Sequence, residues 1–155
     1  TGLIIAILLI QILGAFGAFV MSRLSGAIGN IKTLGISIVI WLGVCVAAYI
    51  VTSPFQFYFL AGTVGLVMGG VQALSRSTYS KMLPETEDHA SYFSFYDATE
   101  KIGIVIGTFS FGLFEMITGS LRTSVISVTF FFLVGLILLF FIPKKHVPSQ
   151  AAFTK

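Results

Sequence analysis

GGVQALSRSTYSKMLPETEDHASYFSFYDATEKIG, Gly69 to Gly103, carries Arg76, Lys81, Glu85, Glu87, Asp88, Asp97, Glu100 and Lys101, eight of the fifteen Asp, Glu, Lys and Arg residues in the chain. Apolar sequence flanks it on both sides. With 155 residues, 56% of them hydrophobic, only 10% charged, and a mean hydropathy of +1.00, the chain departs from soluble domains, in which about a quarter of residues carry charge. Runs of about 18 or more apolar residues are long enough to cross a hydrocarbon core of ~30 Å as helix. Working outward from the charged stretch, four such runs predict spans at about 3–21, 34–51, 55–75 and 123–142, and a shorter run, Ile102 to Ile117 with Glu115 in it, gives a fifth at about 92–117 if its helix begins near Tyr92. The fold class is an all-α membrane protein with five transmembrane helices. Residues 1–143 form the bundle and 144–155 a tail.

Apart from Lys101 in the fourth span, the basic residues fall between spans, with Arg23 and Lys32 after the first, Arg76 and Lys81 after the third, Arg122 after the fourth, and Lys144, Lys145 and Lys155 in the tail. By the positive-inside rule the first and third connections and the tail are cytoplasmic, leaving the amino end outside. A plasma membrane, in bacteria the inner one, is the expected location. The net charge of +3 and pI near 9.2 come from singly scattered residues without a patch or stripe, so no nucleic-acid partner is expected. Cys45 alone permits no disulfide within the chain. The first run lacks a preceding basic region and exceeds a signal core. The start at Thr1, without methionine, raises the expectation of a piece of a longer chain.

Small residues at four-residue spacing, Ala61, Gly65, Gly69, Ala73 and Ser77 in the third span and Gly103 and Gly107 in the fourth, are read as helix contacts, because small residues let backbones approach where lipid gives no hydrophobic incentive to pack. Ser53-Pro54 offers an N-cap followed by proline in the first helical turn, Pro84 ends the third helix and Pro143 the fifth.

Polar residues inside apolar helices are expensive, so each needs a partner or water. Asp97, Lys101, Thr108 and Glu115 share one face of the fourth helix, with Asp97 and Glu115 about 27 Å apart at 1.5 Å per residue. Gln11 and Gln72 interrupt the first and third helices. Each amide alone reads first as interhelical hydrogen bonding; their coincidence with the charged stripe raises the alternative of a polar cavity without deciding for it. Glu85, Glu87 and Asp88 read as a solvated run. His89 and His146 lack a second ligand at metal spacing, so no metal site is expected. There is no His-Glu-x-x-His, no phosphate loop and no intramembrane Ser-His-Asp arrangement, which argues against an enzyme.

The stretches GLVMGGVQALSRSTYSKMLPE, ASYFSFYDATEKIGIVIGTFSFGLF and ITGSLRTSVISV resemble the carboxy-terminal half of major facilitator superfamily transporters, and more narrowly the autophagy-related vacuolar amino-acid effluxers with their bacterial relatives. The resemblance implies a partial carboxy-terminal bundle of a major-facilitator fold, its amino-terminal half absent, and it places the first, third and fourth spans around a central cavity. It further implies a secondary active transporter that moves a small polar solute, an amino acid among the candidates, by alternating access. Lys101, Gln72, Gln11, Thr108 and Glu115 would contact solute; Arg76, Asp97 and Arg23 would form a cytoplasmic gate. The implied partners are the lipid bilayer, the missing half and the solute. No cofactor is implied beyond a coupling ion, proton or sodium. Ser22 to Lys32 resembles a short gating loop, but with Gly26 and Ala27 where acidic and basic residues are common. A sugar–cation symporter of the same superfamily and a non-transporting module packed against a partner are the alternative readings.

Overall fold

The computed structural model describes residues 2–84 and 88–142; Thr1, Glu85, Glu87, Pro143, His146 and the rest of the tail lie outside the described residues. Five helices follow in order: α1 (Gly2–Ile28), α2 (Asn30–Ile50), α3 (Pro54–Met82), α4 (His89–Thr118) and α5 (Leu121–Phe140). All five are long and apolar enough to cross a membrane.

Three helices outrun the apolar runs that announce them. α1 continues through the stretch read as a gating loop and ends only at Gly29, whose φ of 92° is a conformation that favours glycine. α2 resumes at the next residue, so the two helices share a sharp corner in place of a loop. α3 runs to Met82 and stops before Pro84, while α4 starts at His89. Asp88 is not merely a member of a solvated acidic run: it is the N-cap of α4 and accepts a hydrogen bond from the backbone N–H of Ser91 at 3.2 Å. Ser91 donors hold its carboxyl below the usual carboxylate range, first through the side chain and then the backbone. At the start of α3, the Gln56 side chain accepts the N–H groups of Thr52 and Ser53, each at 3.2 Å.

The most extensive helix contact is α1 against α3. A Cβ built on Gly65 would lie 2.6 Å from the carbonyl oxygen of Ile10, and one on Gly69 would lie 2.6 Å from the carbonyl carbon of Gly14. From the other side, a Cβ on Gly17 would overlap the backbone of Leu66. The two backbones therefore touch with no room for side chains. The four-residue stripe does not hold to one face, because each step of four overshoots a full turn by about 40°. Beyond Gly69 the buried face passes to Gly70, Leu74 and Thr78, while Ala73 turns out to the surface. Gly103 and Gly107 meet nothing within 4 Å of a built Cβ, so among the described residues they pack against no helix.

α2 and α5 pair on the far side of α1 and α3. Trp41 stacks on Phe132 with ring centroids 5.1 Å apart. Thr33, Ser37 and Ser124 are fully buried, and each hydroxyl donates to the carbonyl four residues back on its own helix, which satisfies it within a slim helix surface. At the opposite end from Gly29, Arg122 donates to the carbonyls of Val51 at 2.7 Å and Tyr49 at 3.5 Å, capping the C-terminus of α2. α4 leans on α5 and has no buried residue along its length.

Candidate functional site: a polar cleft between α1 and α3

Over the glycine contact, α1 and α3 form an open cleft of about 510 Å³ lined by Ile10, Gln11, Gly14, Met68, Gln72 and Arg76, among others. The sequence-predicted Gln11 and Gln72 thus lie in one cleft, and neither amide is buried against another helix. The glycines explain the arrangement: close backbones at Gly14 and Gly69 set the floor, and the long side chains one turn away form the walls. Two amides and a guanidinium on apolar walls offer donors and acceptors to a small polar molecule.

Arg76 closes the cleft at its basic end and reaches α4. Its Nη2 lies 2.8 Å from Asp97 Oδ1 and 3.4 Å from Glu100 Oε2. Glu100 is the more shielded of the two acids, with 29% of its side chain exposed against 51% for Asp97. The guanidinium also stands 5.7 Å from the centroid of the Tyr96 ring. Tyr96 Oη donates to Ser75 Oγ at 3.0 Å, and Tyr79 Oη donates to the Tyr92 carbonyl at 2.9 Å. Long side chains alone therefore tie α3 to α4, with few backbone approaches beneath them.

The remaining predicted residues do not join this cluster. Lys101 is exposed and makes no hydrogen bond or ion pair among the described residues, while Asp97, one turn away, pairs with Arg76. Thr108 and Glu115 are exposed along α4. Arg23 stacks over Phe19 at 5.1 Å and meets neither Asp97 nor Arg76.

Sequence reasoning missed Asn30. Only 3% exposed, its amide nitrogen donates to Thr78 Oγ1 at 3.1 Å and Ser77 Oγ at 3.4 Å, while its oxygen accepts from Lys81 at 3.3 Å. It locks the α1–α2 corner to the end of α3, one turn from Arg76. The signal was an amide directly after a glycine, hidden because the segment was read as loop. No group of three or more His, Cys, Asp and Glu positioned for a metal occurs among the described residues.

A model of the family described as Vacuole effluxer Atg22 like matches residues 1–152. The chain is 31% identical over 146 residues to an MFS-type transporter, YxiO, of Bacillus subtilis (strain 168), covering 94% of this chain and 34% of that one. It is 37% identical over 71 residues to Autophagy-related protein 22 of Eremothecium gossypii, covering 46% of this chain and 14% of the relative, and 32% identical over 83 residues to the protein of that name in Saccharomyces cerevisiae (strain S288c). The chain thus spans about a third of the bacterial relative and about a sixth or less of these fungal ones. No solved structure gives a significant match. With five helices fit to cross a membrane and a family match over nearly its whole length, the chain is an integral membrane protein that belongs to the Atg22-like vacuole effluxer family.

Proposed function

We propose that these five helices are the carboxy-terminal part of a secondary transporter that moves a small polar solute by alternating access, its other half supplied by sequence such as the longer relatives contain. The observation that carries this reading is the cleft between α1 and α3, in which Gln11, Gln72 and Arg76 project from otherwise apolar walls. An amino acid suits such a site, because amides can accept from its ammonium while Arg76 and the amide nitrogens donate to its carboxylate. Lys101, exposed and without a partner here, is free to meet solute or the other half. Thr108 and Glu115 lie farther along the same helix and extend the polar path toward the opposite membrane face. Protons are the coupling ion we favour, with Asp97 and Glu115 as the carboxylates that would carry them. The amino end lies outside and the basic end, with Arg23, Lys32, Arg76 and Lys81, in the cytoplasm.

The test is flux of radiolabelled amino acids from vesicles containing the full-length protein, with and without a pH gradient. Gln72→Leu, which removes the amide but keeps the bulk, is expected to lower the rate at least tenfold, the scale of one lost hydrogen bond to a charged group. Gln72→Asn should retain part of it. Wild-type flux indistinguishable from protein-free vesicles for every amino acid would overturn the solute class, and unchanged flux in Gln72→Leu would remove the cleft from the pathway.

A further inference from the structure

On the opposite side of the bundle from the polar cleft, the corner between α1 and α2 and the last turns of α5 bound a groove of about 810 Å³. Its walls include Ile28, Ile36, Leu139 and Phe140, and among the described residues Lys32 is the only lining residue that is not apolar. Lys32 is exposed and meets no acid among the described residues. Nor does any side chain cap the first turn of α2, where Lys32 sits. We propose that this groove binds an anionic phospholipid of the leaflet at the basic end, with acyl chain along the apolar walls and phosphate against Lys32.

Two observations favour lipid over a water-soluble anion. Among the described residues the groove offers a single cation, too little to hold a free phosphate from water, yet it presents an apolar wall suited to an acyl chain. The first turn of α2, without a side-chain cap, adds positive potential beside that cation. Basic pockets between helices at a membrane face are suited to anionic headgroups. The groove has its room because residue 35 is glycine: a Cβ built there would lie 3.5 Å from Leu139 Cδ2, an ordinary contact, so a larger side chain fills the groove without forcing α2 from α5.

The experiment uses the purified full-length protein in detergent, titrated with phosphatidylglycerol or phosphatidylcholine, with retained lipid counted by native mass spectrometry. Phosphatidylglycerol should be retained in preference to phosphatidylcholine. Lys32→Gln should cut that preference about fivefold, the worth of one lysine near an anionic surface, while Lys32→Arg preserves it. Gly35→Leu should reduce retention of both lipids. Equal retention of the two lipids, an unchanged preference in Lys32→Gln, or displacement of phosphatidylglycerol by equimolar inorganic phosphate would overturn the proposal. Retention is read without transport, so the outcome stands apart from that of the flux assay.

Discussion

Gly69→Leu should collapse the yield of folded full-length protein. The built Cβ lies 2.6 Å from the carbonyl carbon of Gly14, and what it meets is backbone, which has no alternative rotamer. α1 must therefore move off α3 along the contact that also contains Gly65 and Gly17. Overpacking against a flexible side chain costs roughly 1 to 3 kcal/mol, and against a helix backbone the upper end or more is expected. Gly43→Leu is the matched control, since nothing stands within 4 Å of its built Cβ and helix propensity improves. The check is thermal unfolding in detergent followed by size-exclusion chromatography. A Gly69→Leu protein as stable as Gly43→Leu would mean that α1 and α3 do not pack as described.

Charge exchange at the α3–α4 contact should act on transport and leave stability nearly unchanged. Arg76 and Asp97 have side chains 54% and 51% exposed, and exposed ion pairs contribute about 0 to 1 kcal/mol. Their position is what counts: Arg76 lines the cleft and also holds α4, so under the proposed alternating access breaking the pair would alter how the basic end opens and closes. Arg76→Glu sets three carboxylates together, with Asp97 and Glu100, and is expected to lower flux tenfold or more. Asp97→Arg alone should do likewise. The double exchange should recover part of the rate and no more, because Glu100 would then face a glutamate at position 76. Adding Glu100→Gln should recover more. A double exchange no faster than either single one would remove direct contact between these residues from the gating cycle.

Much of the fold is legible in the chain because bilayer thickness and backbone hydrogen bonding leave helices as the form an apolar run of this length takes. Helix ends are less legible. Hydropathy reports which part of a helix is in hydrocarbon, and the polar turns through Ile28, through Met82 and from His89 lie beyond it. The packing face was half visible: a strict four-residue period finds Gly65 and Gly69 but not Gly17 and Gly70, since a straight helix alternates steps of three and four. At the site, Gln11 and Gln72 stood out as amides in apolar helices, and Arg76 and Asp97 as charges beside them. That Glu100 shares Arg76, and that Asn30 anchors the corner, depends on tertiary approach of residues 24 and 48 positions apart, which no local pattern encodes.

The central claim is that the cleft between α1 and α3 faces water within the membrane. It is tested most directly by thiol accessibility in the full-length protein with Cys45, buried in α2, first replaced by alanine. Met68→Cys and Ala73→Cys place thiols in the cleft, and Phe130→Cys places one on the apolar outer surface of α5. In native membranes, a small charged thiol reagent should modify the two cleft positions at least tenfold faster than the α5 position, and an excess of transported solute should slow Met68→Cys. Equal, slow modification at all three positions would mean a dry cleft, and the account of a solute pathway would fail.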